Sequence, residues 1–211
     1  MIREDRWLLH WSPRSPYVRK VMIAAHELGL EARVDRVRTV VGGTTPHLEL
    51  MDDNPLGKLP TLILADGTAL YDSYVILEYF DSQTTSPRLI PASGHDRMLA
   101  LRRHALGNGM LDILLQWLAE RGRPPERQSP AHIALWRSKT EASITALEGD
   151  AENLAETPFG IGHLAIGTAL GYLDFRFPEV EWHDDNDRLL AWYQTFLARP
   201  SVLAHAPVDD A

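Results

Sequence analysis

The sequence predicts a small α/β domain followed by an all-helical domain. Three observations support this prediction: the chain opens with a strand–helix–strand pattern, a hairpin signal stands at Asp66-Gly67, and every segment after His95 has helical character. The stretch between the two parts contains two prolines and no apolar periodicity, which is typical of a linker. The predicted boundaries are 1–82 for the first domain, 83–95 for the linker and 96–211 for the second domain.

The first strand is a short apolar run, Trp7–Trp11, and a helix follows it. Ser15 suits the N-cap of that helix, Pro16 its first position and Gly29 its stop. Between them, apolar residues repeat at i, i+3, i+4 and i+7, the spacing of one buried helix face: Val18, Val21, Met22 and Ala25. A weaker strand pattern at 32–37 completes the opening unit.

A loop and a hairpin come next. The loop is Asn54-Pro-Leu-Gly-Lys-Leu-Pro60, and the hairpin pairs 61–64 with 68–71 around the Asp66-Gly67 turn. Asp72 then caps another helix, which ends the predicted α/β domain.

The helical half contains four predicted helices. The first, 98–121, is long and amphipathic, and the second runs from Pro130 to about residue 148. The third, 162–177, is apolar on nearly every face and is therefore predicted to be buried at the centre. The fourth spans 189–198 and is expected to end at Arg199-Pro200-Ser201.

The composition excludes several function classes. A formal net charge of −8 argues against a nucleic-acid-binding surface. No export signal or membrane-spanning run is visible, so we expect a soluble cytoplasmic protein. The nine histidines show no metal-ligand spacing, and we predict no metal. The chain has no cysteine, so any thiol chemistry must use a thiol that arrives with a ligand.

Three segments together resemble the glutathione S-transferase family: 12–21 (SPRSPYVRKV), 54–62 (NPLGKLPTL) continuing to Tyr71-Asp72-Ser73, and 169–176 (ALGYLDFR). The nearest resemblance is to bacterial members related to the omega group, with Ser where omega proteins carry Cys. It implies a thioredoxin-like first domain that binds glutathione as co-substrate, without a nucleotide. It further implies a homodimer whose bound thiolate attacks a small hydrophobic electrophile, as in detoxification.

The resemblance assigns Ser15 as the residue that donates a hydrogen bond to the glutathione sulfur. A plain N-cap role accounts for the same serine, and the two roles share one geometry. Ser12 is the rival, because related families place the working serine closer to the strand end.

The resemblance also implies the residues that hold the rest of glutathione. A cis Leu59-Pro60 bond, directly after Lys58, would aim the Leu59 backbone N–H and C=O at the cysteinyl part of glutathione. Asp72 would bind the γ-glutamyl ammonium, and Ser73 would bind the carboxylate. Three cations are weaker candidates for the glycyl carboxylate, each also readable as a surface residue: Arg14, His47 and Lys58.

The second substrate is expected between the domains, where a stripe on the long helix could face it. The stripe comprises Met110, Ile113, Leu114 and Trp117, for which an ordinary core role is the alternative.

The segment Gly160-Ile-Gly-His-Leu-Ala165 imitates a dinucleotide fingerprint. The fingerprint needs a preceding strand, and 151–158 is not predicted to form one. Its glycines are better explained by close packing and a helix start. Gly160 and His163 replace the usual capping pair of the family, so we expect a helix start weakened by about 1 kcal/mol.

The residues leave two other functions open. One is a glutathione-dependent isomerase or dehalogenase using the same site. The other is a non-catalytic binding or assembly module with the same fold.

Overall fold

The computed structural model describes residues 6–42, 44–86 and 88–210. It divides into two compact units: unit 1 comprises Met1–Ile90 and Pro200–Ala211, and unit 2 is Pro91–Arg199. Within the described ranges, no helix combines the length and the apolar character that a membrane crossing requires.

Unit 1 contains a four-stranded mixed sheet: β1 (Trp7–Trp11), β2 (Val34–Arg38), β3 (Thr61–Ile63) and β4 (Ala69–Leu70). The strand order is β2-β1-β3-β4. β1 and β2 are parallel, while β3 is antiparallel to both β1 and β4. The predicted strand–helix–strand start and hairpin are therefore confirmed.

Helix α1 (Pro16–Glu27) connects β1 to β2 and ends as predicted at Gly29. The Leu30 N–H donates to the Ala25 carbonyl at 2.7 Å, and the Gly29 N–H donates to the His26 carbonyl at 3.0 Å. This is a Schellman motif, which needs a positive φ at its centre, and Gly29 has a φ of 69°.

Helix α2 (Leu48–Asp53) was not predicted. It has only six residues, and Leu50 is its single buried side chain, so no periodicity marks it in the sequence. A buried histidine of β1 anchors it: His10 Nε2 lies 3.0 Å from Asp53 Oδ2, and Nδ1 lies 2.9 Å from Thr39 Oγ1.

Helix α3 (Ser73–Ser82) ends where predicted, but the following segment is more ordered than a linker. Asp81 is buried, and its Oδ1 accepts hydrogen bonds from the Leu89 N–H at 2.6 Å and the Ile90 N–H at 3.3 Å. Leu89 and Ile90 are themselves buried. Unit 1 therefore extends to Ile90, beyond the predicted boundary at 82.

Unit 2 is helical, as predicted: α4 (Gly94–Arg121), α5 (Pro130–Glu156), α6 (Ile161–Arg176) and α7 (Asp187–Leu197). Every residue of α6 from Ile161 to Leu173 is buried, which confirms the central helix. Helices α4 and α6 approach closely at two glycines. A Cβ at Gly107 would lie 2.5 Å from the Ala165 carbonyl carbon, and one at Gly162 would lie 2.6 Å from Arg103 Cβ.

The chain returns to unit 1 after α7, which the sequence analysis did not foresee. Pro200 starts helix α8 (Pro200–Ala204) instead of ending the preceding one, and α8 packs on α1. Arg19 Nε donates to the His205 carbonyl at 2.9 Å, and Ser201 pairs with Glu27. Burial of Ser201 and Val202 on α1 explains why this return segment, residues 200–210, leaves the predicted helical domain.

The predicted weakening at the start of α6 needs correction. Gly160 has no side chain, but His163 supplies half of a capping box: its Nδ1 accepts a hydrogen bond from the Gly160 N–H at 3.2 Å. Its Nε2 lies 2.9 Å from the Leu154 carbonyl, which requires the proton on Nε2. Helix α5 extends through 151–156, so no strand precedes the glycines and the dinucleotide reading is excluded.

Candidate functional site

The loop between β1 and α1 carries both candidate serines. Ser15 is the N-cap of α1, and its Oγ accepts a hydrogen bond from the Val18 N–H at 3.3 Å. The Ser15 N–H donates to the Ser12 carbonyl at 3.2 Å. Since the oxygen of Ser15 makes the capping bond, its hydroxyl proton can still be donated to a ligand.

The two serines differ in accessibility. Ser15 is half-buried, whereas Ser12 is 7% exposed and its Oγ accepts from the Arg14 N–H at 3.4 Å. A helix N-terminus concentrates unpaired N–H groups and positive potential, which suits an anion. Ser15 is therefore the more accessible of the two serines and the one that caps this terminus.

The loop 54–60 is held by a residue that the sequence analysis treated only as part of a turn. The buried Asn54 side chain donates to the Lys58 carbonyl at 3.2 Å and to Thr61 Oγ1 at 2.9 Å, while its Oδ1 accepts from the Leu56 N–H at 3.0 Å. An Asn before Pro at a turn was the available signal, since Asn side chains bond to nearby backbone.

The Leu59-Pro60 peptide bond is cis, as the resemblance implied. Leu59 and Pro60 are buried, and Lys58 is exposed. Thr61 follows directly in β3, opposite His10 of β1, so the loop is fixed next to the end of β1.

The start of α3 brings the predicted γ-glutamyl contacts together. Asp72 is its N-cap, with Oδ1 accepting from the Tyr74 N–H at 2.9 Å. Ser73 is 1% exposed, and its Oγ has no hydrogen-bond partner among the residues that the structure describes. A buried hydroxyl without a partner is uncommon in folded proteins. A ligand carboxylate at this helix terminus would supply a partner, once the groups that cover Ser73 shift.

The three weaker cation candidates have different surroundings. His47 caps α2, because its Nδ1 accepts from the Leu50 N–H at 3.2 Å. Arg14 forms ion pairs with Asp209 and Asp210 of the return segment. Lys58 is exposed to solvent.

The predicted second-substrate stripe is mostly core of unit 2. Met110, Leu114 and Trp117 are buried, and the Trp117 ring lies 4.6 Å from the Phe177 ring. Ile113 is half-buried and is the member of the stripe that retains accessible surface. The substrate role of the stripe remains a prediction.

One group of side chains in unit 1 could hold a metal ion. His26, Glu31 and His205 each offer a ligand atom, and these atoms lie within 4.8 Å of one another. No local pattern in the sequence marks this group, because only folding brings His205 to α1. The Glu31 carboxylate lies 3.0 Å from His26 Nδ1 and 3.3 Å from His205 Nε2.

A cleft of about 480 Å³ in unit 2 shares no residue with the predicted glutathione site. Phe159, His163, Trp192 and Arg199 contribute to its walls. Burial holds the pKa of His163 below its usual value. A neutral ring matches its contacts: Nδ1 accepts from the Gly160 N–H, and the Nε2 proton lies between the Leu154 carbonyl and Thr157 Oγ1, at 2.9 Å and 3.2 Å from Nε2.

Comparisons with known proteins agree with this geometry. The family models for the N-terminal and C-terminal domains of glutathione S-transferase match residues 14–83 and 130–195. A glutathione transferase family member from Pseudomonas fluorescens Pf-5, solved with bound glutathione, is 40% identical with a TM-score of 0.93. That match covers 96% of this chain and 100% of the other. A second structure, with bound S-(propanoic acid)-glutathione, is 38% identical with a TM-score of 0.89 and the same coverage.

Two curated relatives are more distant. The uncharacterized GST-like protein YibF of Escherichia coli (strain K12) is 28% identical over 197 residues, covering 92% of this chain and 95% of the relative. A stringent starvation protein A homolog of Pasteurella multocida is 36% identical over 90 residues, covering 41% and 40%. The two domain matches and the full-length structural likeness leave one conclusion. The chain is a member of the glutathione S-transferase family.

Proposed function

We propose that this chain is a glutathione transferase that binds glutathione along Leu59, Asp72 and Ser73 and donates a hydrogen bond from Ser15 to its thiolate. The observation that supports this most directly is the Ser73 hydroxyl, which is buried at the N-terminus of α3 with no hydrogen-bond partner within residues 6–42, 44–86 and 88–210. Asp72 beside it supplies a negative charge that can pair with an ammonium group. A γ-glutamyl group carries both a carboxylate and an ammonium, so it complements this pair.

In the proposed reaction, the glutathione thiol loses its proton to solvent and its sulfur forms a bond to an electrophilic carbon. In a substitution, the electron pair of the broken bond leaves with the departing group; in an addition, the π pair of the attacked double bond moves to its far atom, which takes up a proton from solvent. Ser15 acts as a donor to the sulfur because its oxygen is already engaged with the Val18 N–H. The positive end of α1 adds to the stabilisation of the thiolate.

Magnitudes limit the contribution of Ser15. A thiol with a pKa of about 8.5 is roughly 3% ionised at pH 7, and lowering that pKa by about 2 units gives ~25-fold more thiolate. The more acidic thiolate is about 8-fold less nucleophilic, which leaves a net gain of about 3-fold. Most of the acceleration must therefore come from holding the sulfur beside the electrophile.

The test has a binding step and a catalytic step. Millimolar glutathione should raise the melting temperature of the wild type, and replacing Asp72 by Asn should reduce that shift. Conjugation assays on a panel of electrophiles should then show that Ser15→Ala lowers kcat/KM by at least about 3-fold and moves the pH profile to higher pH.

Two comparison variants separate catalysis from capping. Ser15→Asp retains an N-cap acceptor but has no proton to donate and repels a thiolate, so it should keep stability and lower kcat/KM by more than Ser15→Ala does. Ser12→Ala should leave kcat/KM close to that of the wild type. If only the Ser12 change lowers activity, the assignment of Ser15 is wrong.

A second candidate function is a non-catalytic binding module. The partial match to a stringent starvation protein A homolog favours it, since that name describes no transferase. A module of this kind has no need of the Asp72–Ser73 pair. It would be supported if glutathione gave no thermal shift and no electrophile in the panel were turned over.

A further inference from the structure

The return segment places a carboxylate between two arginines of unit 1. Arg38 holds Asp210 with both ends of its guanidinium, at 2.7 Å from Nε to Oδ2 and 2.9 Å from Nη2 to Oδ1. Arg14 approaches the same carboxylate, with its Nε 3.3 Å from Oδ1. Its Nη2 lies 2.7 Å from Asp209 Oδ1. Two guanidinium groups thus converge on one carboxylate.

This two-arginine site lies on the loop that carries both candidate serines. Arg14 stands between Ser12 and Ser15, and the Val208 N–H donates to the Pro13 carbonyl at 3.4 Å. Arg38 is the last residue of β2, and it is paired with Trp11 at the end of β1. The ends of both parallel strands and the α1 loop therefore meet at the site.

The ion pairs between the return segment and the two arginines are weak enough for a ligand carboxylate to replace them. Val208, Asp209 and Asp210 are all exposed, and both arginine side chains are about one-third exposed. Ion pairs with this much solvent contact contribute little each and are screened by salt. The hydrogen bond from Arg38 is the largest cause that lowers the pKa of the Asp210 carboxyl, partial burial of the carboxyl opposes it, and the charge of Arg14 adds a smaller lowering.

We propose that Arg14 and Arg38 form a carboxylate-binding site for the ligands of this protein, and that Asp209 and Asp210 occupy it when no ligand is bound. The planar fork of Arg38 recognises a carboxylate by geometry as well as by charge, and Arg14 adds a second guanidinium charge beside it. The segment then competes with any ligand whose carboxylate reaches the α1 loop. This inference rests on the proposed function for its choice of ligand.

Two ligand groups could supply the carboxylate: the acceptor joined to the sulfur, or the glycyl end of glutathione. Three ligands distinguish them by calorimetry. S-(2-carboxyethyl)glutathione has both carboxylates, S-(2-carbamoylethyl)glutathione replaces the first by an isosteric amide, and the glycinamide form of S-(2-carboxyethyl)glutathione replaces the second.

Two double variants perturb the site in opposite directions. Asp209→Asn with Asp210→Asn removes the competing carboxylates, and Arg14→Gln with Arg38→Gln removes the site. Glu126→Gln with Glu181→Gln is the matched control, because it changes the net charge of the protein as the first variant does, at two exposed residues of unit 2.

We expect the Asp variant to bind S-(2-carboxyethyl)glutathione about 10-fold more tightly than the wild type, and the Arg variant to bind it about 10-fold less tightly. The control should match the wild type. If the gain is absent for the carbamoyl ligand, the acceptor carboxylate occupies the site; if it is absent for the glycinamide ligand, the glycyl carboxylate does. Equal changes for all three ligands, or none, would overturn the proposal.

A probe without glutathione keeps this test separate from the proposed function. Sodium propionate should raise the melting temperature of the Asp variant more than sodium chloride does at equal ionic strength, and it should not do so for the Arg variant. Failure of all three glutathione ligands to bind, with this propionate effect intact, would overturn the proposed function alone. Loss of the propionate effect would count against the two-arginine site itself.

Discussion

Protonation of His163 should destabilise unit 2, and the structure allows the effect to be worked out. The ring is 6% exposed, accepts a hydrogen bond from the Gly160 N–H and donates one to the Leu154 carbonyl. Burial of the ring is the largest cause that lowers its pKa. The hydrogen bond to the Leu154 carbonyl raises the pKa, and the charge of nearby Arg103 lowers it. A protonated ring would turn the acceptor facing the Gly160 N–H into a second donor.

The sign of the pH effect follows from that lowered pKa. Between the folded value and the unfolded value of 6.5, the unfolded chain binds a proton that the folded chain does not. Stability from this group is therefore complete above about pH 7.5 and is lost as the pH falls through 6.5, by up to about 1.4 kcal/mol for each pH unit. Below the folded pKa the loss levels off.

Two variants isolate the contribution of His163. His163→Gln keeps an acceptor and a donor but does not titrate, and Gln is a normal residue at this position of a capping box. His163→Ala removes both bonds, leaves a buried N–H and a buried carbonyl unpaired, and should cost about 2–4 kcal/mol at pH 8.

The assay is urea unfolding followed by far-ultraviolet circular dichroism from pH 8 to pH 5.5. The difference in unfolding free energy between the wild type and the Gln variant should be constant above pH 7.5. Below pH 7.5 the wild type should lose stability relative to the Gln variant. Parallel curves over the whole range would refute the assigned role of the ring. So would an Ala variant that loses less than about 1 kcal/mol at pH 8.

Three further predictions concern packing and loop geometry. Gly107→Ala should destabilise unit 2 by more than about 2 kcal/mol in urea unfolding, because a backbone atom lies 2.5 Å from the position of the new Cβ. Gly109→Ala is the control: its Cβ meets nothing within 4 Å, so it should be neutral or stabilising. Equal effects of the two substitutions would contradict the packing argument. Asn54→Ala should weaken glutathione binding in calorimetry through the loop that it holds, and an unchanged affinity would remove Asn54 from that role. Asp81→Ala should make 83–90 susceptible to limited proteolysis, because the Leu89 N–H loses its 2.6 Å partner; resistance equal to the wild type would count against that anchor.

Local signals in the sequence predicted most of the fold. Ser15 and Pro16 start α1 and Gly29 ends it through bonds between residues at most five positions apart, so adjacent residues were sufficient. The same holds for Asp72 at the start of α3 and for the turn at Asp66-Gly67. The resemblance implied a cis Leu59-Pro60 bond, and the structure has it.

The sequence failed where a short or polar element depends on distant partners. Helix α2 has one buried residue and no periodicity, and it is held by His10, 43 residues away from Asp53. Helix α8 begins at a proline that reads as a stop, and only its packing on α1 decides that it belongs to unit 1.

The sequence by itself determined the absence of a protein thiol and the caps of α1 and α3, because these depend on composition or on neighbours in the chain, while the glutathione-site candidates came from the family resemblance. Only the tertiary structure decided two other features. It buried the Ser73 hydroxyl with no hydrogen-bond partner in the part of the chain that the structure describes, and it brought Asp210 to Arg38 across 172 residues. Contacts at that separation form only when the chain folds back on itself, so no local pattern predicts them.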